Sequence, residues 1–130
     1  MTRFALLPCF AAVVLMVGVP MTAFAEAPAI TQVVSIETNG DDDLLLKHAA
    51  NNARIFERLG INAERSYLRA TLAGPNTGTV AVVIAYPSLA ELASAQEKLR
   101  GDDEWQKYID KITKSGMTVL SNSIWQDITP

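Results

Sequence analysis

The sequence predicts an α+β fold: a four-stranded antiparallel sheet in the order β-α-β-β-α-α-β, with helices on one face. Three observations carry that prediction. Short β-branched runs occur at Ile30–Glu37 and Thr79–Tyr86, where strand composition is strongest. Two stretches with helical period, beginning at Asp41 and Ser88, separate the strand candidates. Dense turn chemistry, Gly74-Pro75-Asn76-Thr77-Gly78, falls between two alternating segments and closes a hairpin.

The elements follow in order. Ile30–Glu37 (ITQVVSIE) reads as the first strand, ended by Asn39-Gly40. Asp41-Asp42-Asp43 places negative charge where a helix macrodipole favours it, and the helix runs to about Leu59, with Gly60 suited to the position past its end. Leu45, Ala49, Ala53 and Phe56 form its expected apolar stripe. From Asn62 to Leu72 the chain alternates, with Arg65, Tyr67, Arg69 and Thr71 on one face. Residues 64–86 then form a hairpin with a five-residue loop. Ser88 and Glu91 match a capping box at the start of the second helix, which runs to about Leu99. Gly101-Asp102 breaks it, and a further helix runs to about Ile112. Ser115-Gly116 turns the chain into a last strand, Thr118–Asp127.

Right-handed crossovers make the first and third strands central. The third strand is apolar on both faces: Val80, Val82 and Ile84 point one way, Ala81, Val83 and Ala85 the other. Helices cover one face only. The other would leave an apolar patch of a kind that monomers rarely expose. A homodimer packed sheet to sheet, roughly 10 Å apart, resolves this.

Composition bounds the setting. Residues 1–25 combine Arg3, an apolar run broken by Pro8 and Pro20, and Ala23-Phe24-Ala25 before Glu26, the pattern of a secretory signal peptide. The run is shorter than the roughly 20 uninterrupted residues that a spanning helix needs. Cys9 precedes most of the apolar run, so it does not read as a lipidation site. Residues 26–130 are then one exported domain, periplasmic or secreted. Cleavage removes Cys9, the single cysteine, and with it any disulfide, thiol nucleophile or thiolate ligand. The whole chain carries net charge −3, and loss of Arg3 makes it one unit more negative. That disfavours nucleic acid and anionic membrane surfaces as partners.

Few residues suggest chemistry. His48 is the single histidine, too few imidazoles for a transition-metal site, and Asp41-Asp42-Asp43 is accounted for by the helix start. No G-x-S-x-G elbow is present. His48, Asn51 and Asn52 share one side of the first helix, at the border of its apolar stripe. A solvated helix edge is the plainer reading of them. The other reading is a ligand cleft between helix and sheet, with His48 as proton acceptor and with Tyr67, Arg65, Arg69 and Trp125 as further walls. Trp105 reads as a packing anchor, and Trp125, alternating with Ser121 and Ser123, also fits a dimer interface.

The segment GTVAVVIAYPSLAELASAQEKLRGDDEWQKY adds a resemblance. A strand running into Tyr86-Pro87, an Ala-rich helix with Ala90 and Ala93, and the acidic run Asp102-Asp103-Glu104 before Trp105 resemble the dimeric α+β barrel superfamily. Its antibiotic-biosynthesis-monooxygenase-like and NIPSNAP-like members are the most similar. The resemblance spans residues 30–128 and implies a ferredoxin-like βαββααβ domain that pairs as a dimer. It does not fix an activity, because the superfamily includes cofactor-free oxygenases, haem-degrading enzymes, isomerases and regulators. Haem-degrading members use a histidine, an asparagine and a tryptophan. Trp105 matches the last, but the second helix here has no histidine and the first strand no asparagine. No cofactor is expected. Two functions remain: a non-catalytic module that dimerises and binds a small apolar or aromatic ligand, and a cofactor-independent monooxygenase-like enzyme acting on an aromatic substrate.

Overall fold

The computed structural model describes residues 29–72 and 74–130. The expected signal segment, residues 1–25, lies outside the described residues. The elements are β1 (Ile30–Glu37), α1 (Asp42–Arg58), β2 (Glu64–Arg69), β3 (Val80–Tyr86), α2 (Leu89–Arg100), α3 (Asp103–Lys114) and β4 (Thr118–Gln126). All pairings are antiparallel, and the sheet order is β2-β3-β1-β4. The first and third strands are therefore central, as the connection rules require.

Each helix begins where a short acceptor side chain meets an orphan N–H. Asp41 accepts from the Leu44 N–H at 3.1 Å, Ser88 from Glu91 at 3.2 Å and Asp102 from Trp105 at 2.8 Å. Such caps contribute about 1 kcal/mol each. The end of α1 is a Schellman turn: the Ile61 N–H donates to the Phe56 carbonyl at 2.9 Å and that of Gly60 to Glu57 at 3.0 Å. Gly60 takes φ +63°, the left-handed conformation that this turn needs.

Two expectations are corrected. β2 stops at Arg69, not Leu72, and the connection to β3 spans residues 70–79 and includes a 3-10 turn at Gly74–Asn76. Main-chain bonds from the Ala70 N–H to the Thr79 carbonyl at 2.9 Å and from the Gly78 N–H to the Ala70 carbonyl at 2.8 Å close this tip just beyond the last paired residues, Arg69 and Val80. The buried stripe of α1 is Leu45, Asn52, Ile55 and Phe56; Ala49 is half-buried and Ala53 exposed. The reason is the helical period. Seven residues turn through about 700°, within about 20° of where Leu45 points, whereas eight leave Ala53 about 80° away. Asn52 thus sits in the middle of the stripe, not at its border.

The strand register fixes which residues meet the helices. Val82 pairs with Tyr67 and Val34, and Ile84 with Arg65 and Gln32, all on the helix side. Val80, Val82, Ile84 and Tyr86 are buried there. On the other side Val83 pairs with Val33 and Ser66, while Trp125 pairs with Thr31. Ala81, Val83 and Ala85 are half-buried. The sequence alternation on β3 is thus realised on both faces.

Candidate functional site

The helix layer does not seal against the sheet. Between them lies a cavity of about 440 Å³, within the size range of small-molecule sites. The sheet supplies Val34 and Ile36 of β1, Tyr67 of β2, and Val82, Ile84 and Tyr86 of β3. The helices supply Asn52 and Phe56 of α1, Leu99 of α2, and Trp105, Tyr108 and Ile112 of α3. Exposed residues Gln96, Arg100, Gln106, Ile109, Val119 and Asn122 also line it and mark its mouth, on the side of the edge strand β4.

Aromatic rings build one wall. Trp105 stacks on Tyr108 with centroids 5.1 Å apart and meets Phe56 edge-on at 5.8 Å. Such contacts hold rings in fixed orientations and are worth about 1 kcal/mol beyond their buried area. The Arg65 guanidinium lies over the Phe56 ring, 4.0 Å from its centroid. No carboxylate pairs with Arg65 among the described residues.

The cavity is apolar apart from a few groups. Asn52 Oδ1 and the Tyr67 hydroxyl are buried with no hydrogen-bond partner among the described residues, as is Arg65 Nε nearby. An unmet buried polar atom costs about 1–3 kcal/mol. Two of them facing one cavity from opposite layers suit a polar guest. Burial pushes the Tyr108 phenol up from its ordinary value. A hydrogen bond from Asn52 opposes this, the neighbouring Tyr67 adds to it, and the Arg65 charge opposes it. Tyr86 is likewise raised by burial and partly restored by Arg65. Its hydroxyl donates to Gln32 Oε1 at 3.4 Å, and Gln32 Nε2 donates to Asn122 Oδ1 at 2.9 Å, a polar thread leading toward the mouth.

Of the residues singled out in the sequence, the fold brings Asn52 and Tyr67 together at the cavity. His48, half-buried one turn earlier, meets the edge of the Tyr108 ring at 6.0 Å but does not line the cavity. Asn51 faces outward and accepts from Arg54 Nη2 at 2.9 Å. Arg69 is drawn away into an ion pair with Asp42. Trp125 stands on the far face of the sheet, 63% exposed, with its indole N–H on Ser123 Oγ at 2.9 Å. Trp105 packs as an anchor and also lines the cavity. Tyr108 was not singled out in the sequence, and Tyr86 was noted there as the end of a strand, not as a site residue. The signal for Tyr108 was present: Trp105, Tyr108 and Ile112 recur at helical period along α3.

The architecture has solved counterparts. A NIPSNAP family protein from Agrobacterium tumefaciens strain C58 superposes with a TM-score of 0.57 at 17% identity, over 78% of this chain and 93% of that one. The fold is NIPSNAP-like. An uncharacterised NIPSNAP-like domain protein from Burkholderia xenovorans also has a TM-score of 0.57, at 16% identity over 82% of this chain and 91% of its own. No protein-family model matches the chain, and no curated protein matches it in sequence. The NIPSNAP-like frame agrees with the resemblance carried by Tyr86-Pro87 and the acidic run before Trp105. At such identities it supplies the fold, and the function rests on the cavity.

Among the described residues, no group of three or more His, Cys, Asp or Glu side chains is placed to hold a metal ion. No described helix is long and apolar enough to cross a membrane.

Proposed function

We propose that this protein is an exported, homodimeric module that binds a small, largely apolar ligand in the cavity between helices and sheet. One observation carries the binding reading: Asn52 Oδ1 and the Tyr67 hydroxyl are buried without partners at an otherwise apolar, aromatic-walled cavity. A ligand with a flat ring fits against Trp105 and Tyr108 and meets both polar atoms at its inner edge. Thermal unfolding against a panel of neutral and charged aromatic compounds tests this. Some compounds should raise the midpoint of the unmodified protein and not that of Asn52→Leu or Tyr67→Phe. A panel that moves no midpoint, or moves all three proteins equally, contradicts the reading.

Dimerisation is supported by the sheet face turned away from the helices. Val33, Ala81, Val83 and Ala85 form its centre, flanked by Leu68 and Trp125, which are 56% and 63% exposed. The charged residues on that face, Glu37 and Glu64, stand at strand ends. A second copy, presenting the same small side chains, is the occupant that matches this face. Export is supported by the Ala23-Phe24-Ala25 pattern alone, and the mass of secreted protein should correspond to a chain starting at Glu26.

A cofactor-independent oxygenase is the second reading. It is favoured by the two phenols, Tyr67 and Tyr108, standing with Asn52 near the Arg65 charge, which pairs with no carboxylate among the described residues, a setting suited to an ionised aromatic substrate. Oxygen uptake dependent on an added hydroxyaromatic compound separates it from simple binding.

A further inference from the structure

The charge around the cavity runs against that of the protein. The chain has 14 acidic residues against 11 Lys and Arg. Yet no Asp or Glu is among the described residues that line the cavity, and the one charged residue among them is a cation, Arg100. Arg65 stands behind the Phe56 wall. Arg54, Arg58 and Arg69 are each paired with a carboxylate, whereas Arg65 and Arg100 have no such partner among the described residues.

Arg100 ends α2, where a basic residue complements the helix dipole. That explains a cation in the last turn, which Lys98 also provides. It does not explain an arginine with no carboxylate partner among the described residues, at the rim of a cavity whose described lining holds no acid. The rim is also tied down: Gln106 Nε2 on α3 reaches the carbonyls of Leu99 and Arg100, each at 3.4 Å. The guanidinium therefore projects from an anchored stretch of backbone. Its planar fork suits a carboxylate better than an ammonium would. One free cation at the mouth matches one negative charge.

Taking the cavity as a ligand site, we propose that its ligand is a small organic monoacid. Its carboxylate pairs with Arg100 at the mouth, its ring body fills the apolar space beside Trp105 and Tyr108, and a hydroxyl at its inner end meets Asn52 Oδ1 and the Tyr67 hydroxyl. The hydroxyl donates to Asn52 and accepts from Tyr67, satisfying both buried atoms at once.

Three probes separate the parts: a hydroxynaphthoic acid with its two groups on opposite rings, its methyl ester, and the naphthoic acid lacking the hydroxyl. Binding is measured by calorimetry on the purified protein. The hydroxy acid should bind about tenfold more tightly than the ester, the worth of one hydrogen bond to a charged group. That gap should close in Arg100→Gln, persist largely in Arg100→Lys, and shrink with added salt. Removing the hydroxyl should weaken binding to the unmodified protein several-fold, matter less in Asn52→Leu, where Tyr67 remains, and make no difference in the double variant Asn52→Leu, Tyr67→Phe. Equal affinity for acid and ester, or a gap untouched by Arg100→Gln, overturns the acid proposal while leaving the cavity a ligand site. If none of the three binds, the acid proposal falls. If the thermal panel is also silent, the ligand-site reading falls with it. Arg100 is exposed, so its replacement leaves the core intact.

Discussion

Asn52 and Tyr67 face one cavity from opposite layers of the fold, α1 and β2, and each presents to it a buried polar atom that has no hydrogen-bond partner among the described residues. Asn52 is 6% exposed and holds the position in the α1 stripe that an apolar residue would fill in a plain core helix. Stability alone does not select that residue there, and the proposed ligand site rests on this pair.

Replacing either residue by its apolar counterpart should therefore separate stability from binding. Asn52→Leu and Tyr67→Phe each remove an unsatisfied buried group, whose desolvation costs about 1–3 kcal/mol. Urea unfolding should show midpoints equal to or above that of the unmodified protein. A loss of about 2 kcal/mol or more in either variant would mean that these atoms are satisfied structurally, and the site would lose its basis.

Asp102 should make part of the stability sensitive to acid. The Arg58 guanidinium, hydrogen-bonded to both its oxygens at 2.8 Å, and the Trp105 N–H hold its carboxyl below the ordinary value. A carboxylate whose pKa is lower in the folded state stabilises above its unfolded pKa, about 3.9, and loses that contribution as pH falls through the folded value. Asp102→Asn keeps an acceptor for the cap but loses the charge. It should be less stable than the unmodified protein at neutral pH, with the difference fading below about pH 4. A constant difference across that window would show that the charge contributes nothing.

The outer sheet face should report the oligomeric state. Val83 lies at its centre, whereas Val82, on the same strand, is buried under the helices. Val83→Asp puts a carboxylate where a partner sheet would cover it, and burying an unpaired charge is costly. Sedimentation should give a dimer for the unmodified protein and a monomer for this variant. A unmodified protein that sediments as a monomer would leave the exposed Leu68 and Trp125 to some other purpose.

Much of the frame was legible because local chemistry and topology agree. The limits of β1, the acidic start of α1, the Ser88 cap, the turn at Gly60 and the central place of β3 follow from composition, capping and connection rules. The site was only half legible. Asn52 and Tyr67 could be named, but a stripe counted through alanines put Asn52 at the border of α1, and only the rotation of the helix shows it at the centre. Tyr108 was hidden because it comes from α3, and its approach to α1 depends on tertiary packing. Trp125 and Tyr67 read alike as aromatic wall candidates, and the register against β1 and β3 is what puts them on opposite faces. The tip after β2 was misjudged because alternation continued past Arg69 while the ladder did not.

The central claim is that the cavity bounded by Asn52, Tyr67 and Trp105 receives a small ligand. Nuclear magnetic resonance of isotope-labelled protein, titrated with a hydroxyaromatic acid, tests it most directly. The account predicts saturable shifts of the Asn52 side-chain amide and the Trp105 indole N–H, with the Trp125 indole unmoved on the far face. Shifts that cluster at Trp125 and the outer sheet, or none at Asn52 and Trp105 up to the solubility of the compound, would contradict it.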